Sequence, residues 1–185
     1  MRDVYDPAPL TAAPLPAAPL TADSLAAWRE EVSAALYAVT CGFEEKYGYG
    51  PGENAIHPPE AGDRAAAGRL AAESAAFAEL ALYYGEIGAV TMGGVGNAYF
   101  LHSGARALDE RIPLPEAGGT APAVLIGSDG GGILYAVGAD GGVWRSRRAS
   151  EEAEFDRITN DLAEFLDLLR RSVHRFHKTG QPGFV

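Results

Sequence analysis

Cysteine is nearly absent from this chain, whose single representative is Cys41. One cysteine cannot form an intramolecular disulfide, so a disulfide-stapled secreted scaffold is excluded and a reducing compartment is favoured. Long apolar runs are also lacking, since none approaches the ~20 residues that a helix needs to span a bilayer. Residues 1–7 (MRDVYDP) do not join a basic patch to an apolar stretch as a secretion signal does. We therefore expect a cytoplasmic protein with no membrane partner.

Basic residues are too few to balance the acidic ones. Lysine and arginine together number 15 against 25 aspartates and glutamates, which gives a formal net charge of −10. This charge repels polyanions, so we expect no direct nucleic-acid partner, and it attracts basic proteins. Many cytosolic proteins are acidic only for solubility, however, and that is the commoner explanation.

Proline is concentrated near the N-terminus, where the triplet Ala-Pro-Leu recurs at residues 8–10, 13–15 and 18–20. Proline at this frequency is incompatible with a helix or a central strand. We interpret residues 1–22 as a polyproline-type tail that acts as a spacer or extended packing segment, with docking into a partner groove as the alternative. The 47% hydrophobic content predicts a packed core. The length suits one domain, placed at residues 23–180 and followed by a C-terminal tail over residues 181–185.

Apolar residues recur at intervals of three and four in three segments, which predicts three helices. The first covers about residues 23–47, the second, rich in alanine, about 63–84, and the third follows residue 160. A short helical turn is expected near residues 105–110. The candidate N-caps are Thr21, Asp23 or Ser24 for the first helix and Thr159 or Asn160 for the last.

Short β-prone segments occupy the middle of the chain. The expected strands are residues 89–92, 97–102, 123–127, 133–137 and 143–147, the last three joined as a meander by glycine-rich turns. A two-residue turn at Asp140-Gly141 would place Val137 opposite Trp144 and Tyr135 opposite Ser146, on one aromatic-rich face. These patterns predict an α+β fold in which a mainly antiparallel sheet of about four to six strands is flanked by helices, with long N-terminal and C-terminal helices.

Residue types that carry catalysis or bind metals are present without the expected spacing. Zinc requires three or four convergent ligands, and of the four histidines only His174 and His177 are neighbours, so we expect no metal site. Ser103 beside His102 and the buried-looking Cys41 belong to no catalytic signature. Adjacent carboxylates such as Glu151-Glu152 point apart and read as solvated acidic surface. The glycines of residues 127–132 lack the lysine and following helix of a phosphate-binding loop. We therefore expect neither a catalytic residue nor a cofactor.

Glycine-punctuated segments between residues 82 and 144 form a further pattern. They read LYYGEIG at 82–88, VGNAYFLH at 95–102, LIGSDGGG at 125–132, LYA at 134–136 and GVW at 142–144, followed by DLAEFL at 161–166. This pattern resembles the SUKH superfamily of bacterial immunity proteins over residues 82 to about 170. The resemblance implies a mainly antiparallel sheet flanked by helices and a non-enzymatic role, in which members bind and neutralise a co-encoded toxin, while some eukaryotic relatives are interaction modules in cell-wall regulation. The first two helices and the proline-rich tail depart from the family pattern.

Three functional hypotheses follow. The first is an immunity protein that binds a basic domain of its toxin through acidic helix faces. The candidate contact residues are Tyr135, Trp144, Asp129, Asp140, Glu151 and Glu152. Core packing is the competing interpretation for Tyr135 and Trp144. The second is a regulatory or scaffold module that binds a host protein. The third is a small-molecule binder or enzyme that uses the 127–132 loop, which would require a deep pocket there. The sequence leaves the oligomeric state open.

Overall fold

The computed structural model describes residues 19–116, 119–181, 183 and 185. Most of the predicted N-terminal tail, residues 1–18, and part of the predicted C-terminal tail lie outside the described residues. Within them, α-helices are interspersed along the chain with strands, and the strands form one open antiparallel sheet. The predicted α+β class is confirmed.

The described part of the chain contains six α-helices and eight strands. The helices are α1 (Ala22–Thr40), α2 (Phe43–Tyr47), α3 (Ala61–Glu73), α4 (Ala78–Glu86), α5 (Gly104–Asp109) and α6 (Leu162–Thr179), with a 3-10 turn over Ala75–Phe77. The strands are β1 (Asn54–Ile56), β2 (Val90–Met92), β3 (Tyr99–Leu101), β4 (Arg111–Glu116), β5 (Gly119–Asp129), β6 (Leu134–Val137), β7 (Val143–Ser146) and β8 (Phe155–Thr159).

The strands form a single sheet in the order β1-β2-β3-β5-β6-β7-β8, with every pair antiparallel. The long strand β5 pairs with β4 through its first half and with β3 through its last three residues. The five predicted strands are all present. Strands β1, β4 and β8 were not predicted, so the sheet is larger than the expected four to six strands.

The β6–β7 hairpin has a three-residue turn, and the predicted two-residue turn is wrong. The Gly138 amide donates to the Gly142 carbonyl (2.9 Å), and the Gly141 amide donates to the Gly138 carbonyl (3.0 Å). Gly141 has φ of 79°, which suits the left-handed last residue of such a turn. Tyr135 therefore faces Arg145, and Ala136 faces Trp144. Because successive side chains alternate between faces, this one-residue shift places Tyr135 and Trp144 on opposite faces of the sheet.

Both of the first two predicted helices are interrupted. Cys41 leaves the helical conformation and Gly42 adopts φ of 78°, so the segment over 23–47 divides into α1 and α2. Ser74 is extended (φ −160°), which separates α3 from the 3-10 turn and α4. Its hydroxyl oxygen accepts a hydrogen bond from the Ala76 amide (3.2 Å) and so begins the next helical segment.

Side-chain caps fix the starts of the two long helices. Thr21 accepts a hydrogen bond from the Ser24 amide (3.1 Å), which confirms one of the three N-caps predicted for α1. At α6 the cap is Asp161, which accepts from the Glu164 amide (2.7 Å), so Thr159 and Asn160 were wrong candidates. The predicted helical turn near 105–110 is α5.

The main core lies between one face of the sheet and helices α1, α4 and α6. The apolar stripes predicted for these helices are buried there, and Trp28 on α1 donates its indole N–H to the Leu166 carbonyl on α6 (2.8 Å). The opposite face of the sheet carries a smaller apolar cluster. It consists of Ile112, Leu114, Ala123, Leu125, Ala136 and Phe155, with Leu134 and Trp144 packed against it. Apolar residues at alternate positions of β5 therefore pack into the main core and into the smaller cluster on the opposite face.

Buried polar groups join the short helix α5 to its surroundings. The carboxylate of Asp63, on α3, accepts hydrogen bonds from the Gly104 amide (2.6 Å) and from the Glu60 amide (2.8 Å). His102 is only 6% exposed, and its Nδ1 lies 3.0 Å from Oε2 of Glu110. Burial lowers the pKa of His102, as does the nearby Arg106, while Glu110 opposes the shift.

Over the described residues, no helix has both the length and the apolar character required to cross a membrane.

Candidate functional site

Tyr135, a predicted contact residue, belongs to the main core. It is 1% exposed, and its ring centroid lies 5.4 Å from that of Phe165 on α6. Burial is the main cause that raises the pKa of its phenol well above the usual value. A partner could not reach this side chain without opening the core. The competing interpretation, core packing beneath a helix, is the one that the structure supports.

Trp144 lies on the other face of the sheet and is partly exposed. It packs against the small apolar cluster, and its indole nitrogen is enclosed without a hydrogen-bond partner among the described residues. Trp144 and Tyr135 therefore cannot form the joint aromatic surface that the two-residue turn implied.

Asp129 and Asp140 stabilise turns. The Asp129 carboxylate accepts hydrogen bonds from the amides of Gly131 and Ile133, each at 2.8 Å, and so closes the glycine-rich turn after β5. Asp140 accepts from the Gly142 amide (3.0 Å) and forms an ion pair with Arg157 (3.2 Å). Both side chains already have partners within the chain, which gives each a structural role beside the predicted contact role.

Glu151 and Glu152 are exposed in the turn between β7 and β8. Close to them, Arg147 forms ion pairs with Glu154 and Asp156, each at 2.7 Å. This end of the sheet is thus an exposed charged surface. The six predicted contact residues are distributed over the main core, the opposite face of the sheet and three turns, and they do not form one site.

Other residues considered for chemistry are equally dispersed. Cys41 is exposed, contrary to the buried position predicted for it, because α1 ends there. His102 is buried. In the described portion of the chain, no three His, Cys, Asp or Glu side chains converge as metal ligands would. The two concavities described below are lined by residues outside the 127–132 loop.

An aromatic concavity lies where the end of α1, the short helix α2 and the end of α6 meet. We call it the aromatic groove. It has a volume of about 150 Å³, and its main lining residues are Val39, Cys41, Phe43, Tyr47 and Phe176. Tyr47 stacks on Phe176 with centroids 6.3 Å apart, and Phe43 lies 4.5 Å from Tyr47. The break at Gly42 creates this groove, since it turns α2 away from the axis of α1.

Two exposed tyrosines lie next to residues of the aromatic groove. They are the two large apolar side chains with high exposure among the described residues, at 73% for Tyr37 and 63% for Tyr49. The Tyr49 ring makes an edge contact with Phe43 (5.5 Å between centroids). Tyr37 lies one helical turn before Cys41, whose thiol raises the pKa of the Tyr37 phenol by hydrogen bonding. Phe43, Tyr47, Tyr49 and Phe176 thus form a chain of ring contacts, and the exposed Tyr37 lies beside Cys41.

A second, shallower concavity of about 420 Å³ lies along α6. It is lined by Glu31, Arg170, Arg171, His174, Arg175 and Lys178. Glu31 accepts hydrogen bonds from Arg170 Nη1 and pairs with His174 Nε2, each at 2.8 Å. The Arg170 hydrogen bond is the main cause that lowers the pKa of Glu31. Four arginine and lysine side chains therefore dominate this lining, and the Glu31 carboxylate is held between Arg170 and His174.

A sequence signal for the aromatic groove does exist. Tyr37 directly follows Leu36, a residue of the apolar stripe of α1, and consecutive helical residues point about 100° apart. An aromatic residue off the stripe is expected at the surface. The contact between Tyr47 on α2 and Phe176 on α6 is a tertiary feature without such a signal.

Comparisons of the chain with protein-family models, with curated proteins and with solved structures found no match. The resemblance to the SUKH superfamily therefore stays a prediction from the glycine-punctuated segments.

Proposed function

We propose that this chain works by binding another protein through the aromatic groove, without catalysing a reaction. The observation that supports the proposal is a pair of exposed tyrosines next to residues that line an aromatic concavity. Tyr49 contacts Phe43, and Tyr37 lies one helical turn before Cys41. Tyrosine is enriched at interface hot spots because it offers a large contact area with a polar tip at low entropic cost. Covering these rings would remove apolar surface from water.

We further propose that the partner is a toxin encoded beside this chain, which is neutralised by occlusion. The support is the resemblance of residues 82–170 to SUKH immunity proteins, together with an antiparallel sheet flanked by helices, as that family implies. The strands that carry the resemblance lie behind the helices that form the aromatic groove. In this proposal the sheet is the scaffold, and the α1–α2–α6 end is the contact surface.

The test uses the product of the gene adjacent to that of this chain, co-expressed with it and titrated against it by calorimetry. The proposal expects protection of the host cell and a stable complex. The double variant Tyr37→Ala/Tyr49→Ala should weaken the complex by at least about tenfold, because hot-spot tyrosines often cost more than 1 kcal/mol each. The thermal midpoint of the free chain should change little, since both side chains are exposed.

Glu151→Ala/Glu152→Ala is the matched control, because it also truncates two exposed side chains but at the far end of the sheet. It should leave binding and protection unchanged. Loss of binding in this control, with retention in the tyrosine variant, would move the contact surface to the predicted acidic residues. A chain that protects against no neighbouring gene product would contradict toxin neutralisation.

A further inference from the structure

Residues after α6 fold back onto the protein. Gly180, with φ of 69°, ends the helix in the left-handed conformation. Gly183 lies against Ser172, which is about two turns before Gly180 on α6, so closely that a Cβ on Gly183 would overlap the serine side chain. Val185 packs against the main core. We call the described residues after Gly180, namely Gln181, Gly183 and Val185, the C-terminal strap.

Tyr99 on β3 anchors the C-terminal strap to the sheet. Its hydroxyl donates to the backbone oxygen of Val185 (3.5 Å). Burial raises the pKa of the Tyr99 phenol, and hydrogen bonds with the Ser172 side chain and the Gly183 backbone oppose this shift. Tyr99 and Ser172 are both buried. The strap is therefore held by contacts with one strand and one helix.

The C-terminal strap begins beside the aromatic groove. The amide of Gly180 donates to the carbonyl of Phe176 (2.7 Å), and Phe176 lines the groove. A Cβ on Gly180 would lie 3.4 Å from the hydroxyl of Tyr47 and 3.3 Å from the ammonium group of Lys46. Both of these α2 residues line the groove as well. Gly180 is therefore next to the α2 wall and the α6 wall of the groove.

Phe176 lies between the two places where the chain after α6 is attached. Ser172, Phe176 and Gly180 are spaced by four residues, which places them on one side of α6. Phe176 belongs to the last turn of this helix, and helix ends fray because their last carbonyls lack partners within the helix. Opening of that turn would move Phe176 away from Tyr47, on which its ring stacks. A docked strap opposes the opening.

From these contacts we infer that the C-terminal strap positions Phe176 in the aromatic groove, so that the groove keeps its shape only while the strap is docked. Gly183 and Val185 are positioning residues, since neither is among the residues that line the groove. This inference rests on the proposed function and concerns the regulation of the same surface. By linkage, a protein bound in the groove would stabilise the docked strap, and release of the strap would weaken that binding.

Two variants release the C-terminal strap from different sides. Gly183→Ala places a methyl group where Ser172 lies. Tyr99→Phe removes the hydroxyl group on β3 and preserves the ring. Gly85→Ala adds the same methyl group within α4, where a Cβ would meet open space, and is the matched control. Circular dichroism shows whether each variant keeps its fold.

The groove is measured directly in each variant by nuclear magnetic resonance. Overhauser contacts between the rings of Tyr47 and Phe176 report the groove, and hydrogen exchange of the Gly180 amide reports the last turn of α6. In Gly183→Ala the ring contacts should be lost, and exchange should be faster by about fivefold or more, as expected when weak contacts at a helix end are removed. Tyr99→Phe should change both readouts in the same direction, and the control should change neither.

A role of the C-terminal strap in stability alone gives a different result. Gly183→Ala would then lower the thermal midpoint while the ring contacts and the exchange of the Gly180 amide stay as in the wild type. That outcome would overturn the inference and leave the aromatic groove in place as the proposed contact surface. These readouts need no partner, so they decide the inference even if the proposed function fails.

Calorimetry with the product of the adjacent gene tests the consequence for binding. If about a tenth of the Gly183→Ala molecules keep a formed groove, the apparent Kd should rise about tenfold. Unchanged binding by a variant that has lost the contacts between Tyr47 and Phe176 would contradict the groove as the contact surface. The same result would leave the positioning role of the strap supported.

Discussion

His102 is a titratable residue in the interior of the protein, between Arg106 on α5 and Glu110 directly after it. Its imidazole is buried, and Glu110 is shared with Arg106, whose Nε lies 2.8 Å from Oε1 of that carboxylate. Burial lowers the pKa of His102 below its usual value of 6.5. The neutral imidazole is therefore the form that the folded chain accommodates.

Stability is expected to fall as the pH decreases below about 6.5, the pKa of an unfolded histidine. In that range the unfolded chain binds the proton more readily than the folded chain does, so protonation favours unfolding. The urea midpoint should be lower at pH 5 than at pH 7, and the difference should shrink in His102→Gln. The carboxylates with lowered pKa, Glu31 and Asp156, lose their contribution only at lower pH. An unchanged pH dependence in His102→Gln would remove His102 from this explanation.

Predictions for single residues were confirmed where the local sequence pattern determines whether a side chain caps a helix or is buried. Thr21 was among the predicted caps, and the apolar positions of α6 are buried as their spacing indicates. The same reasoning failed for Tyr135 and Trp144, because their faces depend on the length of a turn several residues away. One additional residue in that turn reverses the face of every side chain beyond it.

At the scale of elements, two glycines are expected to respond oppositely to the same substitution. Gly141 has φ of 79° in the hairpin turn, so Gly141→Ala should destabilise the chain by about 1–2 kcal/mol. Gly68 lies within α3 with open space around it, so Gly68→Ala should stabilise the chain by about 0.5–1 kcal/mol. Urea denaturation measures both. Equal effects of the two substitutions would contradict the assigned backbone conformations.

Elements with strong periodicity were predictable from the sequence, and edge elements were not. Strand β4 contains Pro113, and proline lacks the amide proton that a central strand needs for its hydrogen bonds. In the structure β4 is paired with β5 alone, so one side of its backbone needs no partner strand and proline is accommodated. The end of α1 shows the same limit, since the apolar stripe continues from Val39 to Phe43 across a break at Gly42.

At the scale of the molecule, the sheet is shared by two apolar clusters, and this coupling predicts a single unfolding transition. Leu169 is buried in the main core and Leu125 in the smaller cluster. Leu169→Ala and Leu125→Ala should each lower stability by about 2–5 kcal/mol. Far-ultraviolet and near-ultraviolet circular dichroism should report one common midpoint in each variant. Separate midpoints would show that the two clusters unfold independently.

The α+β class followed from the sequence because it needs only the types and order of elements. The aromatic groove did not follow, because it brings Tyr47 and Phe176 together from opposite ends of the chain. Periodicity identifies which side of a helix is apolar, but the contact between two helix ends depends on how both pack on the sheet. The sequence indicates that Tyr37 is exposed, but it does not indicate which residues surround it.

The two tryptophans of the chain lie on opposite sides of the sheet, each within one of its clusters. Their fluorescence therefore contains two optical signals, one from each side. In Trp144→Phe the remaining indole would be Trp28, whose hydrogen bond to the Leu166 carbonyl joins α1 to α6. Its emission wavelength would then follow the separation of these two helices, the same pair that forms the walls of the aromatic groove.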